Sequence, residues 1–174
     1  MFYKDLERLI DEKKQRWTKT SDQIWNYAET KFQETRSSEM LRSLLTQEGF
    51  AVETGVADLP TAFVASFGSG APVIAFLGEY DALSGLSQQD GIAEKIPLIE
   101  GGNGHGCGHH LLGVGSLAAA VATKEILKEN KLPGTVRYYG CPGEEGGSGK
   151  AFMARAGVFG DVDAALSWHP LTHN

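Results

Sequence analysis

Residues 111–127, LLGVGSLAAAVATKEIL, decide the fold, because this run of apolar and small side chains is long enough for a buried helix. Short apolar runs lie on both sides of it, at 73–77 (VIAFL) and at 135–139 (TVRYY). A shorter helical segment at 148–156 and a last apolar run at 164–168 (AALSW) follow. The alternation of strand and helix predicts an α/β fold with three layers, in which helices flank a mostly parallel sheet.

The residues before 73 predict three amphipathic helices and one more strand. The helices are expected over 2–17, after Ser21-Asp22, and from Ser37-Ser38 up to Gly49. The runs 61–67 and 73–77 predict two strands, either a pair or the edge and the centre of the sheet. Residues 84–106 show no period and are rich in Gly, Gln, Asn and Asp, which predicts a long loop.

Composition limits the classes of function. The 174 residues are 41% hydrophobic, enough for a core, and the net charge of −6 argues against nucleic-acid and anionic-membrane partners. The two cysteines do not form a disulfide framework, and no apolar run reaches the roughly 20 residues of a membrane span. The amino terminus, MFYKDLERLIDEKK, is charged rather than a signal peptide, so a cytoplasmic location is expected.

A glycine-rich loop, GGNGHGCGHH at 101–110, concentrates metal-binding side chains. His105, Cys107, His109 and His110 lie within six positions, and imidazole and thiolate are the ligands that zinc takes. A loop with solvent-exposed histidines is the plain alternative. A helix start after this loop would also lower the pKa of a thiol, so a nucleophilic Cys107 is a further alternative.

Acidic and imidazole side chains follow the predicted strands. Glu79 and Asp81 follow 73–77, Glu144 and Glu145 follow 135–139, and His169 follows the last strand. In open α/β sheets, ligands bind outside the carboxyl ends of the strands. Two adjacent carboxylates can divide the work, one binding a metal and the other acting as a base. An exposed acidic turn is the alternative for this pair.

Motifs of other enzyme classes are missing from the sequence. There is no Gly-x-Ser-x-Gly elbow and no His-Glu-x-x-His, and Gly149-Lys150 lacks the rest of a phosphate-binding loop. The glycines at 113 and 115 fall inside a predicted helix, which argues against a dinucleotide fingerprint. The sequence therefore gives no support to these other enzyme classes.

Four motifs in this order resemble the metal-dependent amidohydrolases and peptidases related to aminoacylases and carboxypeptidases. They are GEYDAL at 78–83, GHGCGHH at 104–110, GCPGEEGG at 140–147 and WHP at 168–170. The resemblance implies a zinc-exopeptidase-like catalytic domain that hydrolyses the amide bond of an N-acyl amino acid. Among such substrates it favours p-aminobenzoyl-glutamate, giving p-aminobenzoate and glutamate; other N-acyl amino acids or dipeptides are alternatives.

The resemblance also assigns roles residue by residue. It makes Cys107, His109, Glu145 and His169 metal ligands and Glu144 the general base. The implied cofactor is a divalent metal, zinc or manganese, with two ions in a complete site. Four further residues are candidates for additional ligands or for hydrogen bonds to ligands: Asp81, Glu79, His105 and His110.

Members of this family continue well beyond this length, with a dimerisation and lid domain and a last ligand histidine. Residues 1–174 are therefore expected to be the N-terminal portion of the catalytic domain and inactive alone, and His173 is not expected to replace the missing ligand. The full-length form is expected to be a homo-oligomer or to pair with a homologous A subunit. The alternative is a non-catalytic metal-binding or subunit-interaction fragment.

Overall fold

A computed structural model describes residues 2–171 of the chain, so His173 lies outside the described residues. The helices are α1 Tyr3–Glu12, α2 Lys14–Tyr27, α3 Thr35–Gln47, α4 His109–Glu129, α5 Glu144–Gly147 and α6 Gly149–Arg155. The strands are β1 Ala51–Thr54, β2 Phe63–Ser69, β3 Val73–Gly78, β4 Gly134–Gly140 and β5 Ala164–Leu166. The α/β class predicted from the sequence is confirmed.

The five strands form one mixed sheet in the order β1-β2-β4-β3-β5. The pairs β3–β4 and β3–β5 are parallel, whereas β1–β2 and β2–β4 are antiparallel. The sheet is therefore less parallel than the sequence predicted. A direct pair of β2 and β3 is wrong, because β4 lies between them and pairs along the whole length of both strands. The alternative, with β2 at the sheet edge, is wrong too, because β1 pairs with its other side.

Helix α4 packs across β3 and β4. A Cβ added to Gly113 would lie 2.5 Å from the carbonyl oxygen of Glu79, so the absent side chain lets the helix approach the backbone after β3. Ser116 donates a hydrogen bond of 2.7 Å to the carbonyl of Leu77. By length and composition α4 could cross a membrane, but most of it is buried within the domain, as in the core helix of a globular protein.

Side chains alternate between the two faces of the sheet and form two cores. On one face, β2, β3 and β4 contribute Phe63, Phe76 and Tyr138, which pack against helices α2, α3 and α4. On the other face, Val64 and Tyr139 pack with Met153 of α6. Helices on both faces give the three layers that the sequence predicted.

The amino-terminal helices begin at other residues than the sequence predicted. The break between α1 and α2 falls at Lys13, and Ser21 lies buried inside α2, where its hydroxyl donates to the carbonyl of His110. Helix α3 begins at Thr35 rather than at Ser37-Ser38. Both serine hydroxyls instead bind groups outside the helix, Glu29 and the carbonyl of Thr61.

The parallel strands β4, β3 and β5 bring their carboxyl ends to one edge of the sheet. Residues 79–83 leave that edge after β3, residues 141–147 after β4, and residues 167–171 after β5. The segment 84–106 is a loop, as predicted, and returns to the same edge through a pair of hydrogen bonds between Leu83 and Gly104. The sheet topology therefore gathers the predicted site residues.

Candidate metal centre

His109, the first residue of α4, lies at the middle of the candidate site and is fully buried. Its Nδ1 is 2.9 Å from Oδ1 of Asp81. A carboxylate only accepts hydrogen bonds, so Nδ1 carries the proton and donates it to Asp81. The lone pair of the imidazole is therefore on Nε2, as in the carboxylate–histidine pairs that orient metal ligands.

Nε2 of His109 faces three carboxylates. It is 3.1 Å from Oε2 of Glu79, 3.8 Å from Oε2 of Glu144 and 4.0 Å from Oε1 of Glu145. Within residues 2–171, both this nitrogen and Oε1 of Glu145 are buried without a hydrogen-bond partner. A lone pair facing carboxylate oxygens is repulsive unless a positive charge lies between them.

The pKa of His109 responds to this negative field. Burial lowers it, but the hydrogen bond to Asp81 and the charges of Asp81, Glu79 and Glu145 together raise it above its ordinary value. The surroundings of Nε2 therefore favour a cation, either a proton or a metal ion.

Cys107 and His169 extend the site on another side of His109. Sγ of Cys107 is 3.1 Å from Nε2 of His169, whose Nδ1 lies 2.9 Å from the carbonyl oxygen of Pro170. The ligand atoms of Cys107, His109 and His169 lie within 4.8 Å of one another, and so do those of Glu79, His109 and Glu144. Thiolate, imidazole and carboxylate together suit zinc and similar divalent ions, so the donor set fits a metal centred on His109.

The thiol of Cys107 is not activated by its surroundings. Burial raises its pKa to about 11, and the nearby carboxylates of Glu145, Glu144 and Glu79 act in the same direction. A thiol with this pKa is almost entirely protonated at neutral pH, which removes the support for a cysteine nucleophile. A bound divalent metal would deprotonate it.

Glu144 and Glu145 differ in exposure. The side chain of Glu144 is 42% exposed and that of Glu145 is 19% exposed. The backbone N–H of Glu145 donates a hydrogen bond of 2.8 Å to Oδ2 of Asp81, so Asp81 fixes both this residue and the ring of His109. Glu144 is the residue more open to a substrate, but among the described residues it is also Glu144, not Glu145, whose carboxylate lies within 4.8 Å of the ligand atoms of Glu79 and His109. The division of base and ligand between the two stays a prediction.

Residues 75–172 match the family model for peptidase family M20/M25/M40, which is more than half of the chain. The chain belongs to this family. The resemblance drawn from the four sequence motifs is thereby confirmed.

The chain is also similar to individual hydrolases and peptidases. The chain is 57% identical to the B subunit of p-aminobenzoyl-glutamate hydrolase from Escherichia coli, over 97% of its own length and 35% of the relative's. It is 32% identical to the Xaa-Arg dipeptidase of Mus musculus over 95% of its length and 37% of the relative's. A dinuclear metal-binding peptidase of the M20 family from Bacillus subtilis superposes with a TM-score of 0.72 at 27% identity, over 90% of this chain and 43% of that one. The chain thus spans about a third of the length of these curated relatives.

His105 and His110, the other histidines of the glycine-rich loop, do not join the cluster. Their rings lie 5.0 Å apart, and His105 Nε2 is 3.1 Å from the carbonyl oxygen of Ile24 on α2. Burial lowers the pKa of both to about 4. Both rings are neutral at pH 7, and among the described residues neither belongs to the two groups of ligand atoms around His109, so the structure does not bring them into the metal centre.

Two residues at the site were missed by the sequence analysis. Nζ of Lys150, on α6, forms an ion pair with Oε1 of Glu79 and so compensates part of the negative charge around His109. In the sequence, Lys150 stands out only through the pair Gly149-Lys150, which is an incomplete phosphate-binding motif. The second is Glu34, whose carboxylate accepts a hydrogen bond from the backbone N–H of Gly143.

Proposed function

We propose that this chain carries the metal site of a hydrolase that cleaves the amide bond of an N-acyl amino acid. The observation that carries the proposal is the buried Nε2 of His109, unpartnered among the described residues and facing Glu79, Glu144 and Glu145. The favoured substrate is p-aminobenzoyl-glutamate, which would yield p-aminobenzoate and glutamate. Support for this choice is the 57% identity to the E. coli relative.

The proposed metal ligands are Cys107, His109, Glu145 and His169. Zinc or manganese is the proposed ion, with two ions in a complete site, since the M20 relative from B. subtilis is described as dinuclear. When bound, such a metal polarises the substrate carbonyl and makes water more acidic. Asp81 holds His109 in the tautomer that this role requires, through the 2.9 Å contact with Nδ1.

Glu144 is the proposed general base. In the proposed reaction its carboxylate removes a proton from water as the water oxygen bonds to the amide carbonyl carbon. The bond from that carbon to nitrogen then breaks, and Glu144 returns the proton to the departing amine. Its 42% exposed side chain lies beside the buried ligand cluster, where a substrate amide could reach it.

The assembly and location of the protein belong to the same proposal. We place residues 1–174 in the N-terminal portion of a catalytic domain, in a cytoplasmic protein. The E. coli relative is named as the B subunit of its hydrolase, which supports pairing with a homologous A subunit, and a homo-oligomer is the alternative. The substrate is a small molecule, and neither nucleic acid nor a membrane is proposed as a partner.

A metal-dependence assay tests the function. We define the active form as the form that hydrolyses the substrate, whether this chain or a longer protein containing it. Hydrolysis of p-aminobenzoyl-glutamate should disappear after chelation and return with zinc or manganese, and N-acetyl amino acids should be cleaved more slowly. Hydrolysis that survives complete removal of metal contradicts the proposal. Metal binding without hydrolysis in any form would instead favour the non-catalytic fragment.

A further inference from the structure

The connection between α2 and α3 contacts three of the loops that form the site, namely 79–83, the glycine-rich loop and 141–147. We call residues 28–34 the brace. Its carbonyl at Glu29 accepts a 2.8 Å hydrogen bond from Ala82 N, next to Asp81, and its carbonyl at Ala28 accepts one of 3.2 Å from Asn103 in the glycine-rich loop. Its third contact is with the loop that carries Glu144, and it is made by two side chains.

The first of these side chains is Glu34, which is completely buried. Its Oε1 accepts hydrogen bonds of 2.8 Å from the backbone N–H groups of both Phe32 and Gly143. Its Oε2 accepts a bond of 2.9 Å from the hydroxyl of Thr61, just before β2. One carboxylate therefore fixes the backbone directly before Glu144 relative to the sheet and to the brace.

The second is Phe32, whose ring lies against the glycines on both sides of the glutamate pair. A Cβ added to Gly143 would be 2.6 Å from this ring, and one added to Gly147 would be 2.7 Å from it. Phe32 has a φ of +60°, a strained value for a residue with a side chain. The hydrogen bond from its N–H to Glu34 helps to hold that conformation.

We propose that Glu34 and Phe32 are positioning residues that aim the carboxylate of Glu144 at the substrate. Neither side chain reaches His109, so they act through the backbone of residues 143–147. This inference rests on the proposed function, because it takes Glu144 as the base. Misplacing a catalytic group by 1 Å can cost about 10²-fold in rate, so loosening this loop should lower kcat more than it raises KM.

Substitutions in the active form test the proposal. Glu34→Gln keeps an acceptor oxygen for Gly143 N, and its NH₂ group can donate to the hydroxyl oxygen of Thr61, so kcat should stay within about threefold of the original. Glu34→Leu removes both acceptors, and Phe32→Leu empties the space between the glycines. Each should lower kcat by about 10²-fold with little change in KM.

Phe50→Leu is the matched control. Phe50 is a buried aromatic residue that contacts Phe67, at the end of the sheet opposite the site. It should lower the urea midpoint of unfolding and leave kcat unchanged. Because Glu34→Leu leaves two backbone N–H groups without an acceptor, its fold is checked by the same unfolding curve, and Phe32→Leu gives an independent test.

The outcomes separate this inference from the proposed function. Equal kcat values for Phe32→Leu and Phe50→Leu, or equal losses for Glu34→Gln and Glu34→Leu, overturn the positioning role. If Glu144→Ala itself retains full turnover, the assignment of the base fails first. Loss of turnover in Glu144→Ala together with normal kcat in the brace variants refutes the positioning role alone.

Discussion

Replacement of Asp81 by asparagine changes two hydrogen bonds of the candidate metal centre at once. Asp81 is 1% exposed, and each of its oxygens accepts one bond, from His109 Nδ1 at 2.9 Å and from Glu145 N at 2.8 Å. Asparagine has one acceptor oxygen and one donor NH₂ group, so only one of the two bonds can be kept.

Either arrangement of the asparagine weakens metal binding. If the asparagine oxygen accepts from Glu145 N, its NH₂ group faces Nδ1 of His109. The ring must then carry its proton on Nε2, and a protonated Nε2 cannot bind a metal. If the oxygen serves His109, a buried N–H next to a proposed ligand loses its acceptor, which costs about 1–3 kcal/mol of stability. Loss of a partner that orients a metal ligand lowers metal affinity by about 10- to 100-fold, or about 1.4–2.7 kcal/mol.

Zinc affinity measured by competition with a chromophoric chelator, together with a urea unfolding curve, checks this prediction. The control is Asp161→Asn, since Asp161 is exposed and its carboxylate pairs with Arg137 at 2.5 and 2.6 Å, away from the metal centre. The reasoning is refuted if Asp81→Asn and Asp161→Asn bind zinc equally well.

Three further predictions concern the helix contact, the thiol and a buried lysine. Gly113→Ala should lower the free energy of unfolding by about 1–3 kcal/mol, because the added Cβ would lie 2.5 Å from the carbonyl oxygen of Glu79; an unchanged urea midpoint would contradict it. In the metal-free chain, Cys107 should react with iodoacetamide at pH 8 at least about tenfold more slowly than free cysteine, because its pKa is raised to about 11. Mass spectrometry follows the alkylation, and a rate equal to that of free cysteine would contradict this prediction. Lys124→Met should cost about 1–3 kcal/mol in a urea unfolding experiment, since the buried Nζ donates a 2.7 Å bond to the carbonyl of Glu48; stability equal to the original would show that the bond contributes nothing.

The gathering of the site residues could be predicted from the sequence, because it depends on the direction of β3, β4 and β5. Each strand is a short apolar run followed by polar side chains, and parallel strands end at the same edge. The sheet order could not be predicted in the same way. The strand β1 is short and mostly exposed, so its sequence AVET has neither an apolar run nor a clear alternation. The place of β4 between β2 and β3 depends on pairing over long distances in the chain.

The brace was missed for a related reason. Two of its three contacts are made by the backbone carbonyls of Ala28 and Glu29. Any residue type has such a carbonyl, so these contacts cannot be recognised from the sequence. Glu34 resembles any surface carboxylate in the sequence and is completely buried in the structure. The donors that satisfy it, above all Gly143 N, lie far away along the chain.

The metal content and the hydrolytic rate of Glu144→Ala, measured beside Glu145→Ala in the active form, test the central claim most directly. Glu144 and Glu145 both lie within 4.0 Å of Nε2 of His109, so proximity alone does not separate a base from a ligand. Elemental analysis of Glu144→Ala should find the metal retained while hydrolysis of p-aminobenzoyl-glutamate is abolished, and Glu145→Ala should lose metal. Loss of metal from Glu144→Ala, or retained hydrolysis in that variant, would contradict the account.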